Sequence, residues 1–292
     1  PGSEQLMYPR EFDYVAPASL EEALGALGDD AKVMAGGMSL IPLMKMRLFS
    51  PAVVVDIGRL PGLDAVEEQN GHLNIGALVR HSTTATSLLI SQVATALSTA
   101  ASLTGDVQVR NRGTTCGAIA HADLVADQPA AVLALGATMV AQSPGASREI
   151  AAADFFIDAL TSALKPNEIL TSVRIPKHGP GEGSAYDKLG RRGGRSDYAI
   201  AGAAAWVRME GGSIADARVA LTGVGTKVSL ANAMAAALVG TDGSEAAVKE
   251  ASQKASDDVT IIEDLYGTEK YKTHLASVYA ARAVLQAIAN VS

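Results

Sequence analysis

The pattern of apolar and polar positions divides the chain into three stretches. In the first, residues 19–27 (SLEEALGAL) place Leu and Ala at helical spacing behind Ser19, a good N-cap. Glu21 and Glu22 fall in the first turn, where the helix dipole favours them. Residues 32–35 are a short run of strand type, and residues 39–47 a second helix that tolerates Pro42 in its first turn. The β-branched run at 52–58 (AVVVDIG) predicts a buried strand.

The second stretch opens with alternation at 71–78 (GHLNIGAL), a strand. A helix starting at Ser82 and a small-residue helix over 92–103 follow. Residues 107–129 mix strand signals with turn residues. A helix at 130–135 and strands at 137–141 and 168–176 complete this part. Gly and Pro crowd residues 177–184 (KHGPGEGS), which read as a linker. Beyond it, strands are joined by a hairpin at Gly211 and Gly212, and the region from 229 onward is Ala-rich and mainly helical. Strands first and helices after predict an α+β unit. No internal repeat is present.

At 292 residues the chain has room for two or three cores, and 48% hydrophobic against 19% charged residues is a globular balance. A formal net charge of −7 argues against nucleic acid, whose binders carry a basic face. With no 18-residue apolar run, no transmembrane helix is expected. Residues 1–6 precede Met7 and read as an expression-vector remnant, set apart from fold reasoning. The lone cysteine, Cys116, leaves no partner for an intrachain disulfide, in keeping with a reducing cytoplasm. It also cannot hold an iron–sulfur cluster alone, since such clusters usually need four thiolates. The five histidines show no tight metal spacing, and no metal site is expected.

Two places carry candidate chemistry. Ala35, Gly36, Gly37, Met38 and Ser39 stand between a strand and a helix. They make either a tight turn or a loop whose amides converge on an anion, phosphate above all. The spacing is neither that of a Rossmann unit nor that of a P-loop. Residues 112–117 (RGTTCG) are the second place. Thr114 and Thr115 offer hydroxyls to phosphate oxygens, and Gly117 permits close approach. Asp123 and Asp127 follow, either as solvated acids of a surface loop or as acceptors for ribose or ribityl hydroxyls. Two such loops from different regions could clasp one diphosphate.

Several ordered motifs together resemble the FAD-binding medium subunit of molybdenum hydroxylases, the family of carbon monoxide dehydrogenase and xanthine dehydrogenase. They are FDYVAPASLEEAL, KVMAGGMSLIPLMKMRL, VVDIGRLPGL, IGALVRHS, VRNRGTTCGAIAHADLVADQPAA and KLGRRGGRSDYAIAGAAA, and the likeness runs from Met7 through nearly the whole chain. The resemblance implies an α+β chain. A two-part FAD-binding region of the p-cresol methylhydroxylase (PCMH) and vanillyl-alcohol oxidase type, at 7–60 and 61–178, precedes an antiparallel sheet plus helices at 182–292. It also implies that Ala35, Gly36, Gly37, Met38 and Ser39, with Thr114, Thr115, Cys116, Gly117 and Ala118, bind the FAD diphosphate. Asp127, and less directly Asp123, would contact FAD hydroxyls, Leu170 would lie against the flavin, and Lys188 would join the site. The family usually has isoleucine and glycine where Thr115 and Cys116 stand, and asparagine at Ala118, so Cys116 adds a side chain where backbone approach is expected. Cys116 is then either a small buried filler or a reactive thiol. Met34, Met38, Met44 and Met46 are either core filler or flavin lining. Arg191, Arg192 and Arg195 are either solvated charge or a loop reaching the flavin edge or a partner, with Tyr198 over the ring.

The implied function is a carbon monoxide dehydrogenase-like electron-transfer subunit with no catalytic acid, base or nucleophile of its own. Electrons would arrive from a small [2Fe–2S] subunit and a molybdopterin-containing large subunit, and leave to an external acceptor such as a quinone, NAD or oxygen. A free-standing flavin oxidase of the same fold and an assembly subunit without FAD stand as alternatives.

Overall fold

A computed structural model describes residues 8–192 and 197–291. Residues 1–6 and Arg195 lie outside the described residues. Three parallel strands come first: β1 (Asp13–Val15), β2 (Ala31–Met34) and β3 (Val53–Asp56), ordered β1-β3-β2. Parallel strands need crossovers, supplied here by α1 (Leu20–Gly25) and α2 (Leu40–Lys45). Ser19 caps α1 as expected: its hydroxyl accepts from Glu22 N at 3.1 Å, and the Glu22 carboxylate accepts from Ala18 N at 2.8 Å. Val54 and Val55 of the central strand are buried.

The second sheet is antiparallel. It holds β4 (Val66–Gln69), β5 (His72–Gly76), β6 (Thr138–Ser143) and β7 (Ala146–Ala151), with β8 (Phe156–Asp158) and β9 (Thr161–Ser162) pairing apart. Adding β10 (Ile169–Pro176), the order is β4-β5-β10-β6-β7. Between β5 and β6 run α3 (His81–Thr86), α4 (Leu88–Val93), α5 (Thr95–Leu103), α6 (Val107–Arg112), α7 (Thr115–His121) and α8 (Asp127–Ala134), and α9 (Ala152–Phe155) follows β7. The strand signals of 107–129 are overturned. Val107 and Val109 sit in α6, started by Asp106, whose Oδ1 accepts from Val109 N at 2.9 Å. Local capping outweighs β-branched propensity there.

The third sheet joins β11 (Glu182–Gly190), β12 (Ala199–Glu210), β13 (Ser213–Thr222) and β14 (Ser229–Leu230) in sequence order. The turn at Gly211 and Gly212 has positive φ at both residues, as a tight hairpin requires. The stretch read as a linker is shorter than expected, because Glu182 already pairs with Arg208. The chain then continues through α10 (Asn232–Leu238), α11 (Glu245–Ser252) and α12 (Glu269–Ala289). No helix among the described residues is long and apolar enough to cross a membrane.

This sheet lies between two helical layers. One face packs on α12, with Ala185, Ala203, Ala205 and Val207 against Ala276, Ala280, Ala283 and Ala287. The other face meets α5 and α8, and Tyr186, Ala204, Trp206 and Ala220 join the core of the first two sheets. Alanine is a helix former, yet β12 is a strand of alanines because small side chains let both layers close on the sheet.

The face turned to the first two sheets and their helices carries polar ties at alternate positions. Ser184 Oγ accepts from Ala96 N at 3.2 Å, Tyr186 OH donates to Asp127 Oδ1 at 2.6 Å, and Lys188 Nζ donates to Asp127 Oδ2 at 2.8 Å. Lys188 also donates to Leu103 O and Asp197 O. The Lys188 and Asp127 side chains are 1% and 5% exposed, so neither charge has water as a substitute partner. Removing one strands the other: Lys188→Ala is expected to lower unfolding stability by about 3–5 kcal/mol. Lys188→Met combined with Asp127→Leu costs less than Lys188→Ala alone, read by denaturant unfolding.

Candidate functional site

The site begins where β2 turns into α2. Gly37 has φ +73°, a left-handed conformation that glycine adopts without strain. Gly36 lies against the loop between α6 and α7. A Cβ on Gly36 would collide with the Arg112 carbonyl oxygen and come within 2.7 Å of Gly113 Cα. Residues 35–39 and 112–117 therefore touch backbone to backbone. Among the described residues no acceptor is paired with the N–H groups of Gly36, Gly37, Met38 or Ser39, nor with those of Thr114 and Cys116. The Ser39 hydroxyl makes no cap bond to α2. Thr114 Oγ1 accepts from Gly117 N at 3.1 Å and keeps its own proton to donate. Helices α2 and α7 both start here, adding their positive ends. Convergent, unpaired amides beside a glycine contact fit a diphosphate bound through the main chain.

The comparisons with known proteins identify the family. Residues 10–178 match the FAD binding domain in molybdopterin dehydrogenase, and residues 184–287 the CO dehydrogenase flavoprotein C-terminal domain. The chain belongs to the FAD-binding medium subunits of molybdenum hydroxylases. It is 38% identical to the carbon monoxide dehydrogenase medium chain of Hydrogenophaga pseudoflava, over 95% of this chain and 97% of that one. It is 36% identical to the alpha subunit of the 6-hydroxypseudooxynicotine dehydrogenase complex of Paenarthrobacter nicotinovorans, over 97% and 96%. A solved structure of carbon monoxide dehydrogenase from Hydrogenophaga pseudoflava that lacks the Mo-pyranopterin moiety of the molybdenum cofactor superposes with a TM-score of 0.92 at 39% identity, covering 98% of this chain and all of that chain. FAD is the cofactor of this medium subunit, and the protein is the flavin part of an oxidoreductase.

The side chains of the second loop divide. Thr115 is fully buried, and its hydroxyl meets Thr84 Oγ1 at 2.7 Å, so it offers no hydroxyl to a phosphate. Cys116 turns its Sγ to the carbonyls of Ile75 and Gly76 at 3.5 Å, behind α7. It adds nothing to the face where backbone approach is required. Burial pushes its thiol up to about 12, so it is filler rather than a reactive group. Ala118 is half-buried in the second turn of α7.

Helix α7 is a ruler about 10 Å long. At its far end Ala122 turns left-handed and delivers Asp123, whose Oδ1 accepts from Val125 N at 3.1 Å. Ala199 N donates to Val125 O, which brings Tyr198 to the same end. Tyr198 is exposed beside the Arg191 guanidinium, which also stacks on Tyr266, while Arg192 pairs with Asp197. Asp127 stands apart from this arrangement. Its two oxygens are taken by Tyr186, Lys188 and Thr104, and Lys188 is likewise turned inward. Burial raises the Asp127 carboxyl, and the Lys188 ammonium draws it back down. Asp127 and Lys188 are thus turned into the core, whereas Asp123 keeps one oxygen without a partner among the described residues. Leu170 is a core residue of β10 opposite Ala141, beside a bulge. Met44 is core, Met46 is exposed, and Met34 and Met38 are half-buried around Gly37.

The structure adds residues that the motifs did not single out. His81, buried at the start of α3, places Nδ1 2.7 Å from Gln128 Nε2. Gln128 also donates to Thr104 Oγ1 at 3.3 Å. Burial lowers the imidazole of His81 to about 4. The signal within reach was the step of two between Tyr186 and Lys188, both on one face of a strand. His81 and Gln128 left no such pattern.

Two predictions follow from these environments. Cys116 is expected to resist a thiol reagent in the folded protein and to react once denaturant is added, as counted by released chromophore. For His81, the unfolded side chain titrates near 6.5 and the folded one about 4, so the unfolded chain binds more protons between these values. The resulting stability is complete above about pH 6.5 and is lost as the pH falls toward 4, a loss of about 3 kcal/mol. Melting curves at pH 7 and 4.5 should therefore show a smaller acid loss for His81→Asn than for the unmodified chain.

Proposed function

We propose that this chain is the electron outlet of a carbon monoxide dehydrogenase-like complex, assembled with a molybdopterin-containing large subunit and a small [2Fe–2S] subunit. Bound FAD supplies the exchange between single-electron and two-electron chemistry. Residues 35–39 and 112–117 hold its diphosphate by main-chain amides. Asp123, at the far end of α7, takes the flavin-side hydroxyls, and Tyr198 with Arg191 borders the ring. The chain's own groups bind and orient, and none is assigned to abstract a proton from a substrate.

A single cysteine cannot hold the clusters that feed a flavin, so the donor must be another chain. The substrate is chosen by the large subunit, which fits relatives named for carbon monoxide and for 6-hydroxypseudooxynicotine at nearly equal identity. The acceptor is a soluble oxidant or a quinone reached at the membrane surface, with the complex in the cytoplasm.

The observation that carries this reading is the contact of Gly36 with the Arg112 carbonyl, which brings the two amide clusters to one place. The purified chain is expected to show flavin absorption bands and to join cognate large and small subunits. Gly36→Ala, which forces the loops apart, should weaken FAD at least about tenfold by flavin-fluorescence titration. Substrate turnover by the isolated chain, or undiminished FAD binding by Gly36→Ala, would count against the assignment.

A further inference from the structure

Gly113 is held from two sides. On one side lies Gly36; on the other, a Cβ on Gly113 would come within 2.7 Å of both Cδ2 and Nε2 of His81. The imidazole edge thus occupies the space that a side chain at 113 would fill. The backbones are joined as well. His81 N donates to Gly113 O at 3.0 Å, and Thr115 N donates to Val79 O at 3.0 Å, around a bridge between Arg80 and Thr114. The ring itself is not free to turn. Gln128 Nε2 lies 2.7 Å from Nδ1, a contact that holds the ring with its Cδ2–Nε2 edge toward Gly113. Gln128 is 1% exposed, and its Oε1 has no partner among the described residues, so its amide is committed to His81 and Thr104.

We propose that His81, tethered by Gln128, is a positioning residue that presses the second diphosphate loop onto the first. The inference rests on the FAD reading above and deepens it. Neither side chain touches the cofactor. The ring stops Gly113 from relaxing away from Gly36, and so keeps the amides of Thr114 and Cys116 facing those of residues 36–39. Thr104 carries the tether onward. Its hydroxyl shares its proton between Ala100 O at 2.8 Å and Asp127 Oδ2 at 3.3 Å. The loop is therefore braced against the same buried aspartate that docks the third sheet.

The test uses the full chain stripped of flavin and titrated with FAD, and separately with ADP, which has the diphosphate without the flavin. His81→Ala and Gln128→Leu should each weaken both ligands about tenfold at neutral pH, and the double variant about as much as the worse single, since the two act as one unit. The melting temperature of the stripped protein should move by only a few degrees, which separates positioning from general damage. If His81→Ala does not fold, His81→Asn decides: it keeps an acceptor for Gln128 but lacks the edge beside Gly113, and should also weaken both ligands. Affinities within about twofold of the unmodified chain, or losses that simply add, overturn the proposal. An unmodified chain that binds neither FAD nor ADP refutes the FAD reading itself, not the part given to His81.

Discussion

The rest of the site depends on one steric fact: Gly36 lies against the Arg112 carbonyl with no room for a Cβ. Two backbones can come this close only where one of them lacks a side chain. The first sheet delivers residues 35–39 to that point, because parallel pairing of β2 with β3 fixes where the strand ends and α2 begins. The helical layer delivers residues 112–117, because α6 and α7 meet there and the loop is bridged to residue 80. Neither half has enough convergent donors alone. Together they bring close two segments with six amides that have no acceptor among the described residues, the kind of donor set proposed above for a diphosphate.

Behind the clasp lies a polar network that is costly by itself. Burying Lys188 and Asp127 removes two charges from water, and their attraction only roughly offsets that loss. What the pair supplies is register. Ser184, Tyr186 and Lys188 occupy alternate positions of β11, so a slip by one residue would turn all three toward the alanines of α12 and leave Asp127 alone in the core. The pairing therefore selects one way of docking the third sheet on α5 and α8. That docking decides where Asp197 and Tyr198 emerge, at the end of α7 away from the 112–117 loop.

Much of this was legible in the residues. Capping at Ser19, the valine run of β3 and the glycine hairpin at 211 and 212 are local signals, and each element formed as read. The first loop stood out as a glycine pair in a strand-to-helix turn, and the second as small and hydroxyl residues between apolar stretches, though it joins two helices. Other parts were hidden for identifiable reasons. Helix α6 resembles a strand in composition, and capping by Asp106 rather than β-branched propensity selects its conformation. The inward turn of Thr115, Asp127 and Lys188 is a property of side-chain direction, set by partners far away in sequence. His81 and Gln128 are single residues on separate helices, and only the fold brings them to 2.7 Å.

Under the proposed binding, the TTCG sequence of the second loop alters nothing that recognition by main chain requires. The positions where a side chain would block the clasp are Gly36 and Gly113, and both are glycine. Cys116 sits one residue into the first turn of α7, where its side chain is directed toward the carbonyls of Ile75 and Gly76 at the end of β5. The sulfur replaces hydrogen in a space bounded by two carbonyls and gains burial there, while the Cys116 amide keeps its place. A loop that binds through N–H groups constrains backbone path and the absence of Cβ at contact points. Within those limits, side chains that face the core are free to vary with the packing around them.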